Sequence, residues 1–228
     1  MAPRRLPIFP LRLVVFPGMP TPLHVFEPRY RQLLADCEHG DREFGISPLT
    51  GDEVEGMPAL GSVGSSVIIR SVWFLPDGRS NILVTGGDRY VLSRYVETDR
   101  LYLVADVEPL GDGPWPDDAE AEALAREVRR AFERFVTAMG VLNDQPPQSV
   151  EIPLEPTATS FHVAGSLDLD FADALPLLTS RSTIDRLTRL RGLLDSLNEE
   201  VTRRVVHHQR AKRNGRGPLH HAPDGDPL

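Results

Sequence analysis

The basic residues of this sequence limit the chemistry that it can perform. Of the 25 basic residues in the chain of 228, only Lys212 is a lysine. A phosphate-binding P-loop needs a lysine directly after a glycine, whereas Lys212 follows Ala211. A Ser–Lys catalytic pair would also have to use Lys212, near the end of the sequence. The sequence therefore argues against a P-loop nucleotide site and against a Ser–Lys protease site.

The other nucleophilic and metal-binding residue types form no recognisable pattern either. Cys37 is the only cysteine and lies on the apolar face of a predicted helix, where a thiol packs as a small apolar group. His207 and His208 are adjacent, so on a helix they point about 100° apart and cannot bind one metal as an i, i+4 pair. The Gly-x-Ser-x-Gly motif of a nucleophilic serine is absent. We therefore expect no catalytic site, no cofactor and no metal site.

Aromatic residues in predicted strands are the candidates for a binding site. Trp73 and Phe74 are adjacent in a strand, so their side chains point to opposite faces. One of them would then face away from the core, and an exposed large aromatic side chain suggests a peptide-binding surface. The alternative, in which a helical domain covers that side chain, stays open. Tyr90, in a later strand segment, is the third candidate for peptide binding.

The composition is that of a globular protein. The chain is 40% hydrophobic and 25% charged, which is ordinary for a domain with a core. No apolar run is long enough to span a membrane. One cysteine allows no internal disulfide bond, and we expect a cytoplasmic protein. The formal net charge of −8 argues against a general nucleic-acid binder.

The first half of the sequence predicts short strands and one helix. Apolar pieces broken by prolines occupy residues 6–26, and a β-rich hairpin pattern surrounds the Pro-Asp-Gly turn at 76–78. Further strand patterns, separated at the glycines 86–87, continue to about residue 110. Seven or eight short strands with one short helix suggest a closed or nearly closed β-barrel.

The sequence VFEPRYRQLL, residues 25–34, predicts the change from strand to helix. Glu27 can act as the N-cap, and Pro28 suits the first helical position because its missing N–H would have no partner there. Gly40 predicts the end of the helix. One face of this helix carries Tyr30, Leu33, Leu34 and Cys37.

The second half is predicted to be helical. Residues 111–118 have the composition of a linker, and apolar residues then recur at helical spacing over 119–140. The last helix carries a leucine seam that we expect to pack on helix 119–140. We predict an α+β fold: a β-barrel domain over 1–112, a helical bundle over 118–210 and a disordered tail over 211–228.

Several short motifs, in one order along the chain, carry a resemblance to a known family. They are LPIFPLRLVVFPG, TPLHVFEPRYRQLL, GDREFGI, LPDGR and LVADVEPL. Together they resemble the N-terminal domain of the Lon protease, the Lon substrate-binding domain family, over residues 6–205. The resemblance implies a PUA-like β-barrel followed by a helical bundle, and a role in engaging protein substrates. In full-length Lon an ATPase and a Ser–Lys protease follow this region, so we expect a stand-alone member.

The family signature falls on residues that local physics assigns to a structural joint. We expect a hydrogen bond of Glu27 or Arg29 and the packing of Tyr30 to fix the turn from strand to helix. The signature positions taken as structural are Phe9, Pro10, Pro17, Gly18, Phe26, Glu27, Arg29 and Tyr30.

The resemblance and the missing catalytic motifs together favour a non-catalytic module that binds a protein or peptide. Its partner would be an unfolded segment or a specific protein, and we expect no membrane partner. The alternative is RNA binding by the PUA-like barrel, which the acidic composition opposes. RNA binding would need a surface patch of arginines, for which the candidates are Arg70, Arg79, Arg89 and Arg94. The sequence leaves open whether the chain forms a weak dimer.

Overall fold

The structure, a computed structural model, describes residues 4–51, 56–114, 118–146 and 150–214. These ranges contain six strands and five helices. The first six elements are β1 (Arg4–Leu11), β2 (Pro20–Val25), α1 (Pro28–Glu38), β3 (Glu43–Pro48), β4 (Val63–Phe74) and β5 (Ser80–Val96). They are followed by β6 (Leu103–Pro109), α2 (Asp118–Leu142), α3 (Pro156–Ser166), α4 (Phe171–Thr179) and α5 (Thr183–Asn214). The predicted α+β architecture, with strands first and helices after them, is confirmed.

The strands form a closed barrel with one additional strand. The order is β2-β5-β4-β3-β1-β6, and β5 also pairs with β6, which closes a ring of five strands. Only β1 and β3 run parallel; the other pairs are antiparallel. The first half of β5 pairs with β2 and its second half pairs with β6, so β2 and β6 lie on the same side of β5.

The long strand β5 explains why fewer strands form than the sequence predicts. The expected break at Gly86 and Gly87 lies inside this 17-residue strand. A Cβ atom at Gly86 would collide with the carbonyl oxygen of Phe16, and one at Gly87 would lie 2.6 Å from Oγ of Ser66. The two glycines therefore allow close packing within the barrel rather than a turn.

The free edge of β2 is poor in hydrogen-bond donors. Thr21, which lies opposite Val84, is buried, whereas Pro20 and Pro22 are exposed on either side of it. The amide of Gly86 donates to the carbonyl of Met19, so the alternation directs the nitrogen atoms of the two prolines away from β5. Because proline has no N–H, another strand finds few donors along this edge.

The barrel and the helices have separate cores that share one extended segment. Val15 packs in the barrel core, while Val14 and Phe16 pack in the helical core. Successive residues of an extended segment point to opposite sides, so this segment contributes to both cores. The division into domains at 1–112 and 118–210 remains a proposal. In this division Val14 and Phe16 belong to the first domain but pack against the second.

The helical core rests on the predicted leucine seam of α5. Leu187, Leu190 and Leu194 are fully buried against the other helices. Asn198 donates to the carbonyl of Ala131 on α2, and Ser182 caps α5 by accepting from the amide of Asp185. The helix continues through residues 211–214, so the predicted tail begins too early; the first glycine after the helical pattern is Gly215. The rest of that tail, 215–228, lies outside the described residues.

The joint between β2 and α1 combines a proline start with aromatic packing. Glu27 occupies the N-cap position and Pro28 follows it, but the Glu27 side chain caps no helix amide. Its carboxylate instead accepts from Nε of Arg29, at 2.9 Å. The ring of Tyr30 is buried and stacks on Phe9 with 3.8 Å between centroids, and the Arg29 guanidinium lies 4.6 Å from the Tyr30 ring centroid. The hydrogen bond of Glu27 thus goes to Arg29, within the joint, and Tyr30 attaches the helix to the barrel.

A buried ionic cluster connects the barrel to the helices. Asp112, in the connection after β6, contacts Arg89 of β5 and Arg186 of α5. Arg89 is 5% exposed and Arg186 is 0% exposed. Thr183 donates to Asp112 at 2.7 Å, and both guanidinium groups lie over the ring of Phe161. One carboxylate thus holds two cations from different parts of the chain.

Further hydrogen bonds of the two arginines go to the end of α4 and to Ser160 of α3. Arg89 donates to the carbonyl oxygens of Leu178 and Ser180, at 2.6 Å and 2.5 Å. Arg186 also donates to Ser180, and its Nε donates to Oγ of Ser160. Burial by itself raises the pKa of Asp112, but hydrogen bonds from Arg186 and Thr183 and the charges of both arginines outweigh it and lower the pKa.

The Asp112→Asn substitution tests the contribution of this cluster to stability. Removing one partner of a buried ion pair costs about 3–5 kcal/mol, because the opposite charges remain buried without compensation. We expect a loss of about 3 kcal/mol in the free energy of unfolding, measured by urea denaturation at neutral pH. As the control, Asp99→Asn, at a fully solvated carboxylate, should change it by less than about 0.5 kcal/mol.

The pH dependence of stability gives a second readout on the same two proteins. A carboxylate with a lowered pKa in the folded state stabilises the fold above its unfolded pKa, about 3.9. This stabilisation disappears as the pH falls below that value and through the lower pKa of the folded state. The difference between the parent and Asp112→Asn should therefore shrink on acidification. A difference that does not change with pH would contradict the role of the Asp112 charge.

The Tyr30→Ala substitution tests the strand-to-helix joint. Loss of a buried aromatic ring costs about 3–5 kcal/mol, and we expect a loss of that size in urea denaturation. Tyr30→Phe keeps the ring and should lose less than about 1 kcal/mol, since packing and not the hydroxyl makes the contact with Phe9. Equal stabilities of Tyr30→Ala and the parent would contradict the role of the Tyr30 ring in holding the joint.

Candidate functional site

The far end of the β4–β5 hairpin carries exposed aromatic side chains. Trp73 is 55% exposed and Phe74 is 72% exposed. They are the last two residues of β4 and lie opposite Asn81 and Ser80 of β5. The sequence predicted that only one of them would face away from the core. Both are exposed, because the barrel core ends at the partly buried Val72, two residues before Phe74.

Strand β2 extends this aromatic region. His24 lies opposite Asn81 on the other side of β5, so Trp73, Asn81 and His24 form one row across three strands. A hydrogen bond of 2.7 Å joins Nδ1 of His24 to the side-chain oxygen of Asn81. The ring of Phe26, 57% exposed, stacks on His24 with 5.9 Å between centroids. The Phe74 side chain, at the same end of β4, points to the opposite face from Trp73. We refer to His24, Phe26, Trp73 and Phe74 together as the aromatic surface.

Phe26 thus differs from the structural role assigned to it from the sequence. The other signature residues of this region hold the chain in place, whereas the Phe26 ring has more than half of its surface in solvent. Its position one residue before the N-cap of α1 places it beside the joint rather than inside it. The sequence pattern alone gave no signal for this, because an apolar residue next to Val25 fits a core equally well.

The remaining signature residues are buried or hold a turn. Phe9 and Pro10 are buried in β1. Gly18 has a φ of 79°, a conformation that favours glycine, and it follows Pro17 in the turn before β2. The amide of Gly18 donates to the carbonyl of Gly86 at 2.8 Å, which attaches the turn to β5.

The prediction that Tyr90 binds a peptide is wrong. Tyr90 is 3% exposed, and its hydroxyl lies 2.8 Å from Oγ of Ser47. Burial raises the pKa of Tyr90 well above its ordinary value. A Cβ atom at Gly45 or Gly64 would lie 2.5 Å from the Tyr90 hydroxyl oxygen, so these two glycines make room for the ring. The structure places these glycines inside β3 and β4, and a glycine inside a strand marks a place where a neighbouring segment approaches closely.

The arginine patch considered for RNA binding does not form. Arg89 is buried in the cluster with Asp112, so it contributes nothing to the surface. Arg94 forms an ion pair with Asp106, and Arg79 forms one with Asp77 at 2.6 Å. Arg89 is therefore missing from the predicted surface patch. Its hydrogen-bond acceptor Leu178 lies about ninety residues away in the sequence, at the end of α4.

Two other arginines lie beside the aromatic surface without an acidic partner among the described residues. The guanidinium of Arg31 lies over the hairpin turn, where its Cζ would be 3.0 Å from a Cβ atom at Gly78. Arg70, exposed on β4, donates from Nε to Oγ1 of Thr85 at 3.1 Å. Arg29 and Arg79 are paired with Glu27 and Asp77. This region therefore carries four arginines against two carboxylates.

The metal-ligand side chains of the described residues are dispersed. In these ranges, no three His, Cys, Asp or Glu side chains lie close enough together to hold a metal ion. Cys37 is buried and donates to the carbonyl of Glu43, and burial raises the pKa of its thiol to about 12. A thiol with that pKa is a poor nucleophile at neutral pH. Likewise, none of the helices in the described ranges is both long and apolar enough to cross a membrane.

Curated proteins similar to this chain are full-length proteases. The Lon protease of Trichlorobacter lovleyi is 29% identical over 203 residues, which cover 88% of this chain and 25% of the protease. The Lon protease of Cytophaga hutchinsonii is 27% identical over 202 residues, covering 85% of this chain and 24% of the protease. The chain thus spans about a quarter of the length of these relatives.

Solved structures of similar fold are N-terminal domains. The Lon N-terminal domain protein of Xanthomonas campestris has a TM-score of 0.55 and 28% sequence identity, covering 82% of this chain and 96% of its own. The N-terminal domain of the Mycobacterium avium complex Lon protease has a TM-score of 0.61 and 18% identity, covering 86% of this chain and 98% of its own. At 18% identity, the second similarity shows the fold alone.

The family comparison covers most of the chain. The family model described as the ATP-dependent protease La (LON) substrate-binding domain matches residues 5–196. This range includes the barrel, the aromatic surface and the helices up to the middle of α5. It also agrees with the resemblance seen over residues 6–205 of the sequence. The chain belongs to the Lon substrate-binding domain family.

Proposed function

We propose that this domain binds unfolded segments of client proteins through the aromatic surface, without catalysing a reaction on them. The observation that carries this proposal is the exposure of three large aromatic side chains, Phe26, Trp73 and Phe74, at one end of the sheet. Isolated exposed apolar side chains are normal, but a group of them at one place is typical of an interaction site.

The chemistry of the surface suits an unfolded apolar segment. Aromatic rings provide a large apolar contact area and lose little side-chain entropy on binding. The imidazole of His24 and the amide of Asn81 lie between Trp73 and Phe26 and offer polar groups to a bound backbone. An unfolded segment becomes ordered when it binds, which reduces the affinity, so we expect dissociation constants in the micromolar range.

The structure favours recognition by side chains over addition of a strand. The free edge of β2, next to the aromatic surface, contains Pro20 and Pro22 and offers few of the donors that an added strand needs. The family description supports a protein ligand, because the matched model is that of a substrate-binding domain. The proteolytic activity of the full-length relatives is not part of this proposal.

Substitution of the two hairpin aromatics tests this function. In Trp73→Ser/Phe74→Ser, we expect binding to a reduced and alkylated, permanently unfolded protein to weaken about ten-fold or more, because truncating buried aromatic anchors costs at least about 1–2 kcal/mol. Binding is measured by fluorescence anisotropy of the labelled unfolded protein. Urea denaturation should give an unchanged stability, since both side chains are exposed.

A matched control removes an exposed apolar side chain elsewhere. Leu154, 79% exposed before α3, lies in the helical part of the chain, and Leu154→Ser should bind as the parent does. Equal binding by the parent and the double variant would show that the aromatic surface is not the site. Retention of RNA, but not of unfolded protein, in the same assay would favour the alternative of a nucleic-acid binder.

A further inference from the structure

The charges around the aromatic surface differ in sign from the charge of the whole chain. The chain has a formal net charge of −8. Next to the aromatic surface, however, Arg29 and Arg79 pair with Glu27 and Asp77, whereas Arg31 and Arg70 form no ion pair with another described residue. Two of the four arginines are neutralised by ion pairs with these carboxylates, so the positive charges of Arg31 and Arg70 remain available.

The two available arginines lie on opposite sides of the hairpin aromatics. Arg70 precedes Trp73 by three residues on β4, which corresponds to about 10 Å at the rise of a β-strand. The Arg70 side chain donates to Thr85. Thr85 lies four residues after Asn81 in β5, so both side chains are on the face that carries Trp73. At the other end, the guanidinium of Arg31 lies over Gly78, in the turn that follows Phe74.

The positions of these side chains are fixed by the fold. Arg70 lies at the irregularity between Ile69 and Ser71, where β4 has one residue more than β5. Such a bulge redirects the side chain of the extra residue. Arg31 belongs to the first turn of α1, whose start is held by Pro28 and by the packing of Tyr30 on Phe9. The backbone positions of Arg31 and Arg70 are therefore set by a helix and a strand and not by a loop.

We infer that the aromatic surface selects unfolded segments in which an aromatic or large aliphatic residue is flanked by aspartate or glutamate. This inference rests on the proposed function and adds a charge preference to it. An extended segment advances about 3.3 Å per residue, so acidic residues about three positions on either side of the apolar residue would reach Arg70 and Arg31. A segment with lysine or arginine at those positions would meet like charges and bind less well.

Three short peptides of equal length and without tryptophan measure this preference. The first has phenylalanine flanked by glutamates, the second has lysines in place of the glutamates, and the third has serine in place of phenylalanine. Trp73 and Trp115 are the two tryptophans of the chain, so a Trp115→Phe protein reports contact with Trp73 by its fluorescence. Anisotropy of a label on the peptide gives the affinity independently.

We expect the acidic phenylalanine peptide to bind about ten-fold more tightly than the lysine peptide, as two solvent-exposed ion pairs allow. The difference should shrink at high ionic strength, because salt screens charges at a surface. The serine peptide should bind weakly, which shows that charge alone is insufficient. Binding should change the emission of Trp73.

Charge reversal tests the two arginines directly. Arg70→Glu, at an exposed position, should remove most of the preference, and Arg31→Glu/Arg70→Glu should reverse it toward the lysine peptide. Arg134→Glu, at an exposed arginine of α2, is the control and should keep the parent's preference. Urea denaturation shows whether Arg31→Glu disturbs the hairpin turn; Arg70→Glu alone decides the question if it does.

The outcomes separate the charge preference from the proposed function. Equal binding of the acidic and lysine peptides, with a response of Trp73, overturns the inference and leaves the function intact. A preference for the lysine peptide also overturns the inference. If neither phenylalanine peptide binds and the unfolded protein does not bind either, the proposed function fails, and the charge preference fails with it.

Discussion

The arrangement of this domain depends on one carboxylate, Asp112, held between two buried arginines. Arg89 comes from the barrel and Arg186 from the last helix, so the cluster joins elements nearly a hundred residues apart. Two buried guanidinium groups without Asp112 would repel each other and would remain desolvated. The carbonyl groups at the end of α4 and the ring of Phe161 complete the surroundings of both cations. The connection between barrel and helices is thus a polar contact of defined geometry, supported on its other side by the apolar segment that both cores share.

The hairpin aromatics lie away from this junction. The helices pack against the segment of Val14 and Phe16, whereas the β4–β5 hairpin extends beyond the barrel core. Trp73 and Phe74, the last two residues of β4, therefore keep more than half of their side chains exposed. The prolines of β2 limit pairing with other strands beside this region, and the joint at Tyr30 keeps α1 and Arg31 next to the hairpin turn. A rigid support with exposed aromatic rings at one end suits the recognition of segments that are themselves unfolded.

Local patterns in the sequence predicted the local structure well. The Pro-Asp-Gly turn, the proline start of α1 and the leucine seam of α5 lie where the patterns indicated, because each depends on neighbouring residues. The failures occurred where distant parts of the chain meet. Tyr90 was a candidate for the surface, but it fills space left by Gly45 and Gly64 on other strands. Arg89 was a candidate for a surface patch, but its partners lie in the connector and at the end of α4.

The sequence by itself determined the family of this protein: the order of its short motifs indicates the Lon substrate-binding domain family, whose model matches residues 5–196. The tertiary structure decided which aromatic side chains are exposed and lie together. Alternation along a strand shows that Trp73 and Phe74 point in opposite directions, but only the closed barrel shows where its core ends. Likewise, the charge of the chain is acidic as a whole, and only the fold brings Arg31 and Arg70 to the two sides of the aromatic rings. The physical reason is that burial and the local sign of charge are set by residues far apart in sequence, which no local pattern records.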